Sequence, residues 1–367
     1  MFTAENLEDL MAFEAGEEPV LSLYLNTDLG ENPIETIKLQ VRGLLRDIPA
    51  ELKDDASQIE EHFEQAHDWR KSGAALFSCL ARDFFRTYQV AVPFRNRVRV
   101  GRKPYVKPLL HLMKYYTNYG VIVVDRIGAR FFEFHVGELQ ETSGTMGEDI
   151  RKLKHGGGSS AAGMRGGVGG ARQEDEHAQR NMREAAEQAA RFFSRRDIRR
   201  LFIGGTSENV AQFREMLPKR LQSTIAGTFA MDMDASKEEV RERTLQLLHE
   251  LNAEREQRLV ERMITSSHDG GSAVTGLAST LRMVSDGRVD TLVVSDGYRV
   301  SGFRHASSGY LTASEDDTMF GDGPLESVVD IVEEAVERTV EQGGHVEVVS
   351  ENAQLENAGR IGAILRY

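Results

Sequence analysis

The chain has 367 residues, 40% of them hydrophobic and 28% charged, which supplies apolar material for more than one core. Its single cysteine, Cys79, excludes an internal disulfide framework and any Cys-x-x-Cys metal site. The net charge of −13 argues against a nucleic-acid ligand for the chain as a whole, but residues 151–200 hold 12 Lys/Arg against 6 Asp/Glu, a local +6. Fields are screened over roughly 8 Å at physiological salt, so such a patch acts independently of a distant acidic body. The alternative is a helix with a solvated basic face.

The first ten residues have no basic stretch ahead of an apolar run, so no signal peptide is read there. Runs such as Val121-Ile-Val-Val124 are too short to cross a bilayer. A cytoplasmic protein without membrane contact is expected. Strand and helix signals then alternate, which predicts a mixed α/β (α+β) fold in three domains. In the first, residues 1–106, strands are predicted over 19–25, 73–79, 86–92 and 95–100, with helices over 35–47 and 51–68.

The second domain, residues 107–234, opens with an apolar helix over 109–116 and strands over 119–125 and 129–135. A glycine-rich loop, 154–172, follows. Eight of the fifteen residues from Gly156 to Gly170 are glycine, a stretch predicted to hold neither helix nor strand and to be mobile when free. A helix comes next, with Ala178, Met182, Ala185, Ala189 and Phe193 recurring as one buried stripe. Strands over 201–203 and 224–231 and a helix over 208–217 complete this part. Ser236 and Glu239 form a capping box at the start of the third domain, residues 235–367. Its long first helix sets Val240, Leu247, Leu248, Leu251, Leu259, Val260 and Met263 on one face. A helix over 273–283, a strand over 289–294, a hairpin through Asp296-Gly297 into 298–304, a helix over 325–339 and strands over 345–350 and 361–366 follow.

The glycine-rich loop carries the chemistry. A phosphate cradle for a nucleotide is the weaker reading, because no GxxxxGK[ST] is present and the loop is long for a cradle. A loop rimmed by Lys152, Lys154, Arg165 and Arg172, mounted on a helix, is suited to entering a narrow cavity lined with RNA. Glycine permits close backbone approach, and the basic rim neutralises phosphates. Ordering the loop costs on the order of 1 kcal/mol per residue fixed, so it is expected to order only in a partner. A long surface loop with no function is the alternative. No His or Cys pair stands at a metal-ligand spacing, and nothing calls for a cofactor. Asp232 and Asp234 read as a solvated linker, and Glu315-Asp-Asp317 as a solvated loop or a face for a basic partner.

Four segments carry a family resemblance: Gly120-Val-Ile-Val-Val-Asp125 with Gly128-Ala-Arg-Phe-Phe132; Lys154-His155-Gly156 with the helix through His177-Ala-Gln-Arg180; Val289-Asp-Thr-Leu-Val-Val294; and Gly359-Arg-Ile-Gly-Ala-Ile-Leu-Arg-Tyr367. The chain resembles the archaeal and eukaryotic class-1 peptide-chain release factors and Pelota, in a divergent bacterial branch, over roughly residues 106–367. The resemblance implies a three-domain release-factor-like architecture whose first domain faces the decoding site and whose second carries a catalytic loop.

Two departures bear on function. The family's catalytic Gly-Gly-Gln falls near Ala161-Ala162-Gly163, where there is no glutamine. The nearby Gln173 follows Gly169-Gly170-Ala171-Arg172 and reads as the polar opening of the helix, or else as a displaced catalytic residue; about 1 Å of displacement costs around a hundredfold in rate. The family's decoding Asn-Ile-Lys-Ser is matched only by Thr36-Ile37-Lys38-Leu39, which reads as a helix turn with Lys38 solvated. The resemblance with these losses implies a monomeric, non-enzymatic factor. It would occupy the ribosomal A site, reach ribosomal RNA and the peptidyl-transferase centre, and silence or protect idle ribosomes under stress, with elongation factor Tu or another translation GTPase as partner. The expected contacts are Lys152, Lys154, His155, Gly156, Gly157, Gly158, Arg165, Gly169, Gly170, Arg172 and Gln173, supported by Arg180 and Arg183. The alternative is a peptidyl-tRNA hydrolase in ribosome rescue, with Gln173 as surrogate.

Overall fold

The computed structural model describes residues 2–146, 168–268, 271–315, 324–350 and 352–366. The chain is mixed α/β and divides into two compact units, Met1–Leu248 and His249–Tyr367.

The first unit holds two sheets. It begins with α1 (Ala4–Ala12), capped by Thr3, which exchanges hydrogen bonds with Asn6. Then come β1 (Val20–Asn26), α2 (Ile34–Leu45), α3 (Lys53–Gln65), β2 (Gly73–Cys79), β3 (Phe84–Val90) and β4 (Arg97–Gly101). The strands form an antiparallel sheet in the order β3-β2-β1-β4. Successive strand residues point to opposite faces. Leu21, Leu23 and Leu25 therefore meet Ile37, Val41, Ile59 and Phe63 of the two helices, while Tyr24 turns the other way, against Phe77 and Phe94.

The second sheet is built from β5 (Tyr119–Val124), β6 (Gly128–His135), β7 (Glu138–Met146), β8 (Arg200–Gly204) and β9 (Ile225–Phe229), in the order β7-β6-β5-β8-β9. Strand β5 runs parallel to β8, and β8 to β9. The helices are α4 (Lys107–Tyr115), α5 (Val168–Phe193), α6 (Ser207–Met216) and the short α7 (Lys219–Gln222). Helices α5 and α6 share a core with the Ile122, Val124, Ala129, Phe131, Leu201 and Ile203 face of the sheet. The stripe predicted for α5 is buried at every position named.

Helix α8 (Lys237–His268) opens with the predicted capping box: Glu239 N–H donates to Ser236 Oγ at 3.1 Å, and Ser236 N–H to Glu239 Oε2 at 2.7 Å. Val240, Leu248, Val260 and Met263 are buried as predicted, while Leu247, Leu251 and Leu259 are only half-buried. Polar Thr244, Asn252 and Glu256 take the intervening buried places at a spacing of four. A hydrophobic count cannot register residues buried with partners.

The second unit contains β10 (Ala273–Thr275), α9 (Leu277–Ser285), β11 (Val289–Ser295), β12 (Gly302–His305), β13 (Leu311–Thr312), β14 (Leu325–Val328), α10 (Ile331–Glu341), β15 (His345–Val349), α11 (Ala353–Asn357) and β16 (Ile361–Leu365). Three expectations are corrected here. The helix predicted over 273–283 starts only at Leu277, because Ala273–Thr275 pairs with β16. The hairpin at Asp296-Gly297 does not form, since β15 and β16 already occupy both edges of β11. The turn instead releases the chain into a separate sheet, β13-β12-β14. The helix predicted over 325–339 begins at Ile331, where Asp330 accepts the Val332 and Glu333 N–H groups, and residues 325–328 pair with β12.

Strand β16 lies between β10 and β11, as its apolar ending requires. A side chain at Gly362 would stand 2.7 Å from the Val274 carbonyl oxygen and 2.7 Å from Met263 Sδ. The glycine of the C-terminal motif is a packing requirement.

Candidate functional site

The site expected from the sequence centres on α5 and the segment before it. Lys152, Lys154, His155, Gly156, Gly157, Gly158 and Arg165 lie outside the described residues, as do Ala161-Ala162-Gly163. Gly169, Gly170, Arg172 and Gln173 do not belong to a loop. Their backbone is part of α5, which begins at Val168. This corrects the expectation that the stretch holds no helix through Gly170. A glycine costs roughly 1 kcal/mol against alanine inside a helix. In the first turn the N–H groups lack intrahelical partners anyway, and the strong amphipathic segment downstream drives the helix backwards.

The rest of α5 is fixed from both ends. At the β5–β6 turn, Asp125 Oδ1 accepts the N–H groups of Ile127 (2.7 Å) and Gly128 (2.8 Å), while the Asp125 N–H donates to the Gly128 carbonyl. This tight turn meets α5 twice. Asn181, buried, donates from Nδ2 to the Arg126 carbonyl at 3.3 Å, and Arg126 pairs with Asp175. Further along, a side chain at Gly120 would stand 2.7 Å from the Phe193 ring, so the bare backbone of β5 lets α5 lie close.

Beyond the end of the helix, Arg196 bridges Glu133 of β6 (2.6 Å) and Glu141 of β7, donates to the Phe192 carbonyl, and lies over the Phe192 ring. Burial alone would lower the pKa of this guanidinium. The hydrogen bonds and charges of the two glutamates outweigh it and raise the value, so Arg196 is held charged. Arg180 and Arg183 lie exposed on α5, off the buried stripe. The helix is thus a rigid beam, bolted to the sheet, whose exposed side mixes Arg180, Arg183 and Arg191 with Asp175, Glu176, Glu184 and Glu187.

Arg130, unremarked in the sequence, is a second fixing point. It donates to the carbonyls of Met233 (2.8 Å) and Ala235 (2.6 Å) and pins the segment leading to α8. Asp232 and Asp234 are exposed there, as read. Lys38 does sit on a helix turn, in α2, but it is not solvated. Its Nζ lies 2.6 Å from Glu64 Oε2, and Arg42 joins the same carboxylate. Sequence reasoning missed this because the partner is on α3, 26 residues away. Of the acidic loop only Glu315 is described, exposed on the surface.

Among the described residues, no group of three or more His, Cys, Asp or Glu is arranged to hold a metal ion, and no helix is long and apolar enough to cross a membrane.

Residues 104–248 match the family model of the bacterial archaeo-eukaryotic release factor family 10, and residues 253–367 match eRF1 domain 3. No curated protein matches the chain. Among solved structures, an archaeal translation termination factor, aRF1, is 18% identical with 99% of this chain and 97% of that one covered, at a TM-score of 0.26. Archaeal Pelota, from a model of ribosome-bound Pelota and ABCE1, is 13% identical with 100% and 95% covered, at a TM-score of 0.42. Dom34 of S. cerevisiae is 10% identical with 80% and 86% covered, at a TM-score of 0.39. These superpositions are too loose to carry an argument. The two family models together take in most of the chain, and by them its second and third parts are release-factor-like, in a divergent bacterial branch.

Proposed function

We propose that the chain is a ribosome-binding factor that occupies the A site without cleaving peptidyl-tRNA, and so silences or protects idle ribosomes. One observation carries this: a release-factor-like chain contains no Gly-Gly-Gln anywhere in its 367 residues. The family's hydrolytic device is a glutamine that positions water, and a scaffold kept without it is suited to occupancy. The basic, glycine-rich segment 154–172 then serves as an RNA contact near the peptidyl-transferase centre, with Arg180 and Arg183 on the braced helix behind it. Gln173 takes part as a polar residue of α5. Delivery falls to a translation GTPase such as elongation factor Tu. The resemblance to the bacterial hibernation factor Balon, which lacks both family motifs, supports the same reading.

Cosedimentation with bacterial ribosomes from stationary-phase cells tests the reading. Binding at low salt, with no peptide released from ribosomes loaded with peptidyl-tRNA, is the expected outcome. A protein that stays wholly in the supernatant rules the proposal out. Peptide release that disappears in Gln173→Ala replaces it with the hydrolase reading.

A further inference from the structure

From Phe84 to Val124 the chain carries eight lysines and arginines and no aspartate or glutamate, in a protein of net charge −13. Six of the eight lie between Arg95 and Lys107. The fold gathers them. Strand β4 is an edge strand, paired with β1 through Tyr24↔Arg97 and Ser22↔Arg99. The two-residue alternation sends Val98 and Val100 to the core under α2 and α3, and Arg97 and Arg99 to the other face. Arg95, Arg102 and Lys103 are exposed at its two ends. Glu17 lies 3.5 Å from Arg102, but both side chains are largely in solvent, so the pair is screened and weak.

Part of this charge is held in place. Tyr105 is clamped by two buried side chains of β1: its N–H donates to Ser22 Oγ at 3.0 Å, and the Tyr24 hydroxyl donates to its carbonyl at 2.5 Å. The Tyr105 ring lies 5.6 Å from the Arg99 guanidinium carbon and 5.7 Å from the Lys107 ammonium. Cation–π attraction to a fixed ring holds the half-buried Arg99 in place, with Lys107 buried on the ring's other contact. A charge guarding an edge strand against strand addition needs no such clamp. A preorganised cation flanked by exposed ones along one strand suits a ligand with regularly spaced anions. Neither family model reaches β4.

We propose that β4 and the segment through Lys107 form a track for the sugar-phosphate backbone of RNA, with Arg95, Arg99 and Arg102 as the phosphate contacts and Tyr105 as a positioning residue. The proposal rests on the ribosome-binding reading only for the source of that RNA.

The test compares the wild-type chain with the triple variant Arg95→Gln, Arg99→Gln, Arg102→Gln, after thermal melts show that both fold. Binding to a labelled polyuridylate strand and to purified bacterial ribosomes is followed across a salt series. The variant should lose about tenfold or more in affinity for the strand, and its log–log salt slope should fall by about 2, three contacts at roughly 0.7 each. Tyr105→Ala should lose part of the affinity and Tyr105→Phe should restore it. An unchanged slope overturns the track, even where ribosome binding persists. A wild-type chain that ignores ribosomes yet shows the slope change on the strand upholds the track and defeats the ribosome reading. A photocrosslinker at position 102 that, on ribosomes, couples to protein and not to RNA also overturns it.

Discussion

The side-chain amide of Asn181 reaches the backbone carbonyl of Arg126 at 3.3 Å and so joins the helix bearing Arg180 and Arg183 to the turn that closes β5 and β6. Asn181 is buried, and truncation leaves that carbonyl short of a donor. Asn181→Ala should lower stability by about 1–2 kcal/mol in denaturant titrations. Asn181→Asp should cost more, because a carboxylate would face a carbonyl oxygen with no proton between them.

The exposed arginines of α5 should affect binding and leave folding alone. Arg180→Glu with Arg183→Glu should melt within a degree or two of wild type, since neither side chain is buried. In ribosome cosedimentation the salt slope should fall by about 1.5, the share of two phosphate contacts. A slope equal to wild type would remove these residues from the RNA surface.

Glu256 sets a pH dependence in the second unit. Burial pushes its pKa up from 4.5 to about 7, against the N–H of Ser350, which donates to it at 3.2 Å; nearby Glu347 pushes it further up. The folded state therefore keeps a proton between pH 4.5 and about 7 that the unfolded chain has lost. Stability falls as pH rises through that window and stays low above it, by on the order of 2 kcal/mol. Glu256→Gln should flatten the dependence and raise the melting temperature at pH 8. A variant with the wild-type pH profile would show that the carboxyl is not the group responsible.

His67 acts with the opposite sign in the first unit. Burial, then the neighbouring His62, lower its pKa to about 4 against the opposing pull of Asp68, and its Nε2 is buried without a partner. Here the unfolded chain takes up a proton that the native state refuses. Stability is lost as pH falls from 6.5 towards 4, again by on the order of 2 kcal/mol. Trp69, the single tryptophan, lies with its ring centroid 4.7 Å from His67. Its fluorescence should report the acid transition, and His67→Phe should move the midpoint to lower pH.

Gly362→Ala places a methyl 2.7 Å from the Val274 carbonyl oxygen, between strands that cannot separate without breaking the sheet. Overpacking of this kind costs about 1–3 kcal/mol. A loss of several degrees in melting temperature is expected, and an unchanged one would mean that β10 and β16 are not paired as described.

Local pattern was enough for much of this protein. The strands read over 19–25 and 73–79, the stripe on α5 and the Ser236–Glu239 capping box follow from residues close together in the chain, and each element formed within a residue of where it was read. The absence of Gly-Gly-Gln is likewise a property of the letters alone.

What only the tertiary structure decided depends on partners far along the chain. Ala273–Thr275 became a strand because β16, some ninety residues later, offered an edge. Asp296-Gly297 failed to make a hairpin because β15 and β16 had filled both sides of β11. Lys38 found Glu64 on another helix, and Glu256 took a buried place that no hydrophobic count assigns to a carboxylate. Backbone periodicity is set by each residue's neighbours in sequence, whereas pairing, burial of charge and the clamp on Tyr105 are set by which surfaces meet once the chain has folded.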